Sequence, residues 1–120
     1  MVIKMLSKEV EAVATQIYES NENIKTICLL KGDGNISLYL TKQNESDEGE
    51  KKRLAASIMA SIVLAERSII NLVQEHVKHV VIKGENAITI VFMTKTGNYV
   101  YILADNQFDY KTILDIEFNF

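Results

Sequence analysis

His76 and His79 stand three residues apart, and Asp47, Glu48 and Glu50 crowd a short acidic run before the longest apolar stretch of the chain. Imidazoles and carboxylates at close spacing could hold a metal ion or pass a proton. The surroundings argue against both. The two histidines fall at the join of a predicted helix and a predicted strand, with no further ligand at suitable spacing, and the one cysteine, Cys28, is far off in sequence. The acids sit on a polar connector, which reads as a solvated loop. Ser57, Ser61 and Ser68 lie on a predicted helix without the strand-turn-helix pattern of a nucleophile elbow. Gly32-Asp33-Gly34 is too short for a phosphate loop and precedes a strand rather than a helix. Cys28 lies inside the apolar run Ile27-Cys28-Leu29-Leu30, where a cysteine behaves as a small buried hydrophobe. No catalytic set, cofactor site or metal site emerges, so the chain reads as an interaction module and not as an enzyme.

The bulk numbers narrow the partners. A chain of 120 residues with 48% hydrophobic and 24% charged residues has the composition of a globular protein able to bury a core without staples. One domain over residues 1–120 is expected, with 106–120 as a tail. The net charge of −3 argues against nucleic acid as the main partner, because backbone binding needs clustered lysine and arginine. The basic cluster Lys51-Lys52-Arg53 follows an acidic run, Glu45 to Glu50, that nearly cancels it. The opening MVIKMLSKE lacks the apolar core and small-residue cleavage site of a secretory signal. Glu66, Arg67 and Asn71 interrupt the long apolar stretch, so no bilayer span is expected, and the cytoplasm is the expected compartment.

The elements that carry these residues follow from periodicity. Ser7 to about Ser20 predicts a helix capped by Ser7, with Val10, Val13, Ala14 and Ile17 as its apolar stripe. Ile24–Lys31 and Ile36–Thr41 predict strands joined by Gly32-Asp33-Gly34-Asn35, residue types that accept the positive φ of a tight hairpin. A second helix is predicted from Gly49 or Lys51 to roughly Glu75, on the order of 35 Å long. Val77–Lys83, Ala87–Thr94 and Tyr99–Ala104 predict a three-strand meander. Leu114–Phe120 alternates and predicts an extended, strand-like end. The order α-β-β-α-β-β-β implies an α+β fold, a five-stranded antiparallel sheet with two helices on one face.

The second helix poses a question. Leu54, Ile58, Ile62, Ala65, Ile69 and Leu72 form one apolar face, and Ala55, Met59, Val63, Ile70 and Val73 form another. A helix on a small domain needs one such face. The other is left for a partner.

Three stretches together resemble the Roadblock family of dynein light-chain-like proteins, within the wider profilin-like and longin-like architecture. They are ICLLKGDG at residues 27–34, the Ala-rich helix from Leu54 to Leu72, and VVIKGENAITIVFMTKTGNYVYILAD at residues 80–105. The resemblance implies a homodimer in which the long helices of two subunits pack antiparallel and the third strands pair edge to edge, giving one continuous sheet. It points to Ala55, Met59, Ile62, Val63, Glu66, Ile70, Val73, Val77, His79 and Val81 as interface residues, with Arg67 at the rim. It further implies a non-enzymatic regulator or scaffold of a small Ras-like GTPase, with GTPase activation as one form of that role. Lys51, Lys52 and Arg53 are the candidates to meet that partner. Two alternatives are a structural subunit of a larger complex, hooked by its sheet edges or by Phe118 and Phe120, and a small-molecule sensor module.

Overall fold

Consecutive strands with apolar side chains on both sides need cover on both sides, and the computed structural model shows how the chain supplies it. It describes residues 2–42, 48–73, 77–116 and 118, with side chains described from residue 9 and, in the second helix, up to residue 69. The elements are α1 (Val2–Ser20), β1 (Ile24–Leu30), β2 (Ile36–Thr41), α2 (Glu48–Val73), β3 (His79–Lys83), β4 (Ala87–Met93) and β5 (Tyr99–Asp105), followed by a 3-10 turn at Tyr110–Ile113. Strand limits lie within one or two residues of those expected from the sequence, the usual fraying of element ends.

The five strands form one antiparallel sheet in the order β2-β1-β5-β4-β3. β1, β4 and β5 are its interior, which is why their sequences are nearly continuous apolar runs. Alternation then sorts the side chains. Ile27 and Leu29 of β1, Ile88, Ile90 and Phe92 of β4, and Val100, Ile102 and Ala104 of β5 pack with Val10 and Ala14 of α1. Leu30, Val91 and Tyr99 pack instead with Ala55, Ile58 and Ile62 of α2.

The two helices therefore lie on opposite faces of the sheet, which corrects the expectation that both share one. The physical reason is the two-sided apolar character of the three interior strands, which one covered face would leave half wet. α1 covers β1 and β2, and α2 covers β3, β4 and β5.

The tail completes the α1 side. Phe108, Ile113 and Phe118 are buried there, with Leu114 and Ile116 packed against them. Among the described residues the tail holds a 3-10 turn and no strand; of the expected strand-like end, residues 114–116 and 118 are not in a strand, and the rest lies outside the described residues. Asp109 starts that turn by accepting from the backbone N–H of Lys111 at 3.3 Å. The alternation of Leu114, Ile116 and Phe118 did mark side chains that bury, but they lie across the sheet's face instead of pairing at its edge.

Both helix starts fall ahead of the expected positions. α1 begins at Val2, so Ser7 lies within it and is no cap. Nothing in residues 2–6 breaks a helix, since they contain neither proline nor glycine. At its other end the Asn21 side-chain amide donates to the Ile17 carbonyl at 2.8 Å, meeting an acceptor that the helix itself leaves open. α2 opens with Glu48 and Glu50 in its first turn, where carboxylates suit the positive end of the helix dipole.

The two hairpin turns at one end of the sheet touch. The backbone N–H of Gly32 donates to the Asn98 side-chain oxygen at 3.0 Å. A Cβ on Gly32 would come within 2.6 Å of the Gly97 carbonyl oxygen, so the close approach requires glycine there.

Candidate interaction surface

The sheet decides which side of α2 is left over. Ala55, Ile58 and Ile62 are buried beneath the helix, with Leu54, Met59, Ala65 and Ile69 packed around them. The opposite side carries Ala56, Ala60, Val63, Leu64 and Arg67, all exposed and spaced at i, i+4, i+7, i+8 and i+11. Val63 is 46% exposed and Leu64 66% exposed. Alanines flank the two larger residues, so another backbone could approach this side closely.

The serines of α2 are engaged with the helix itself. Ser57 donates to the Arg53 carbonyl at 2.9 Å, Ser61 to that of Ile58 at 2.7 Å and Ser68 to that of Ala65 at 2.8 Å. Such local bonds satisfy the hydroxyl and lower the polarity the helix shows to a partner.

Beside α2 runs β3, a terminal strand of the sheet. Its hydrogen bonds go to β4, with His79 opposite Phe92 and Val81 opposite Ile90. Its outer edge offers backbone donors and acceptors, and Ile82 stands 52% exposed on it.

The residues that the resemblance nominated for an interface separate into groups. Ala55, Ile62 and Val77 are buried by the chain's own packing and keep no surface for a second protein, which corrects their nomination. Met59 and Glu66 are half-buried on the flank of α2, and Val63 is exposed. His79 and Val81 are half-buried on β3; the His79 ring stands 6.0 Å from that of Phe92. The side chains of Ile70 and Val73 lie outside the described residues. Leu64, Ala56 and Ala60 were missing from that set. The signal for Leu64 was its place on neither apolar face of the helix, which is where an apolar residue meets solvent.

Of the basic cluster, Lys51 is held locally, 3.6 Å from Glu48 and 5.2 Å above the Tyr39 ring. Lys52 and Arg53 are exposed. The cluster thus leaves Lys52 and Arg53 exposed at the start of α2, on the side away from the sheet.

The chemistry-bearing residues do not converge. Cys28 is fully buried in β1, and burial pushes its thiol up to about 12, far from a nucleophilic thiolate. Burial, aided by Tyr39 and Cys28, likewise pushes the Tyr101 phenol up to about 12. Asp33 accepts from the backbone N–H of Asn35 at 2.9 Å, and that bond above all holds its carboxyl below the ordinary value; it is a turn residue. Among the described residues no three His, Cys, Asp or Glu side chains are grouped to hold a metal ion. His76 and Asp47 lie outside the described residues. No described helix is long and apolar enough to cross a membrane.

A five-stranded antiparallel sheet between one long helix and a shorter helix with its tail defines a Roadblock-like fold. Solved structures bear this out at the level of fold. The chain superposes on a Roadblock/LC7 domain from Streptomyces avermitilis with a TM-score of 0.73 at 17% identity, over 84% of this chain and 82% of that one. Myxococcus xanthus MglB gives 0.67 at 17% identity, over 86% and 80% of the two chains. An MglB structure with a tetrameric arrangement gives 0.72 at 10% identity, over 88% and 77%. No protein-family model and no curated protein matches the sequence.

Proposed function

We propose that the chain is a homodimeric regulator or scaffold of a small Ras-like GTPase. The observation that carries this reading is the outward apolar stripe of α2, Ala56, Ala60, Val63 and Leu64, lying beside the open edge of β3 on a Roadblock-like sheet. Two copies related by a two-fold axis would join their β3 edges and bring their α2 stripes together, so one operation meets both needs. Burying one Val or Leu side chain contributes about 1.5–3 kcal/mol, and the strand pairing adds hydrogen bonds, before the cost of association. Met59 and Glu66 flank the seam.

The surface so formed is two-fold and rigid, with Lys52 and Arg53 of each copy outside the seam. A GTPase has loops that order around its terminal phosphate. A rigid surface that fits one loop arrangement better than the other shifts its population without donating a catalytic group. This suits a chain whose titratable residues do not converge. The GTPase-binding role comes from the resemblance to Roadblock proteins, and the MglB-like fold supports it.

Two measurements test it. Sedimentation equilibrium at micromolar concentration should give a dimer; a stable monomer would remove the platform. Pull-down with Ras-like GTPases of the same organism, loaded with GDP or a GTP analogue, should retain one state preferentially. Equal retention of both would reduce the reading to a passive scaffold, and retention of neither would end it.

A further inference from the structure

A hollow that the chain's own packing does not fill lies beside the tail. Between the start of β3, the β4–β5 turn and the tail lies a cavity of about 630 Å³, whose lining includes Lys78, His79, Phe92, Lys95, Ile116 and Phe118. That volume is within the range of about 300–1,000 Å³ typical of small-molecule sites. Three rings run along it: His79 and Phe92 have centroids 6.0 Å apart, and Phe92 and Phe118 5.2 Å apart, each pair tilted. Ile116 and Leu114 extend this apolar wall.

The charged residues of the lining are lysines on balance. Lys78 and Lys95 are exposed, and neither makes an ion pair with another described residue. Asp115 is the one acid among the described lining residues, and it too is exposed. Among the described lining residues two lysines thus stand against one carboxylate, in a chain of net charge −3. Three backbone N–H groups of the turn beside it are already engaged. The N–H of Thr94 donates to the Asn98 carbonyl, that of Gly97 to the Thr94 carbonyl and that of Asn98 to the Thr94 hydroxyl. The cations of the described lining are the two lysine ammonium groups, point charges on flexible stems that suit a singly charged carboxylate.

We propose that this cavity binds a small amphipathic carboxylate, its charged group at Lys78 and Lys95 and its apolar body against Phe92, Ile116 and Phe118. The site runs from the sheet face opposite α2 to Val77 and Met93 on the α2 side and borders the start of β3, but it includes no residue of the outward α2 stripe, so ligand titration tests it without any GTPase.

Isothermal titration with decanoate is the test, with decanol and acetate as the uncharged and bodiless controls. Decanoate should bind saturably with a dissociation constant below about 0.1 mM, and each control at least about tenfold more weakly. Lys78→Glu and Lys95→Glu, both at exposed positions, should each weaken decanoate about tenfold, while Lys25→Glu at the far end of β1 leaves it unchanged. Binding of decanol as tight as decanoate, or loss of affinity in neither lysine variant, would overturn the proposal. So would the absence of saturation. Vesicles of phosphatidylcholine with phosphatidylglycerol distinguish the other source of such chemistry: co-sedimentation of the protein with them, without binding of free decanoate, would make the site a lipid-surface contact and overturn the free-ligand assignment.

Discussion

The two faces of the sheet are closed in different ways. On one, α1 and the tail both contribute, and Val10, Ala14, Phe108, Ile113 and Phe118 surround the strands from two directions. On the other, α2 alone provides the helical cover, and its far side still presents Val63 and Leu64 to solvent. The first face is a core closed by several segments of one chain. The second is a core plus a remainder, because a long helix with apolar residues around much of its circumference cannot turn all of them toward one sheet. The same residue types thus hold the fold on one side of a helix and stand in solvent on the other.

Substitutions can break this contrast in order of effect. Phe118→Ala removes a buried ring tilted against that of Phe92 and should cost about 3–5 kcal/mol in urea unfolding, because the tail would no longer seal the α1 face. A loss below about 1 kcal/mol would mean that the tail is ornament and the two faces are closed alike. Ile62→Ala, at 0% exposure under α2, should cost about 2–5 kcal/mol in the same measurement. Leu64→Asp lies on the same helix, 66% exposed, and should leave the unfolding of a single chain within about 0.5 kcal/mol while abolishing the dimer in sedimentation. An equal loss of chain stability from Ile62→Ala and Leu64→Asp would erase the distinction between the inner and outer sides of α2.

Two smaller effects concern residues outside either remainder. Cys28 should react with iodoacetamide far more slowly in the native chain than in urea at the same pH, since burial keeps its thiol protonated and covered. Rapid native labelling would show that the sheet opens at β1. Asp33 has its carboxyl pKa held below the ordinary 3.8 by the Asn35 N–H, so the folded state gains from the carboxylate above that pH and loses the gain as pH falls through the lowered value. Asp33→Asn should therefore flatten the acid limb of the stability curve by lowering stability slightly at neutral pH, while leaving it unchanged well below the carboxyl's lowered value.

Much of this was legible in the sequence. The strand and helix order, the glycine-asparagine turns and the antiparallel sheet follow from periodicity and turn chemistry, which act over a few residues. The two apolar faces of α2 were visible as well, but which one met the sheet was not. Nor was the side on which α1 would dock. Leu64 illustrates the limit: its spacing places it off both stripes, yet only the orientation of the whole helix decides that this makes it the most exposed of the described large apolar residues.

By itself, the sequence determined the elements, because local spacing of apolar residues and backbone preferences are properties of short segments. It also determined that α2 carries more apolar surface than one contact can use. Only the tertiary structure decided that the helices occupy opposite faces and that the tail lies across one of them. Those choices depend on which strand neighbours which and on how two covers share the area of a sheet, and no short segment contains that information.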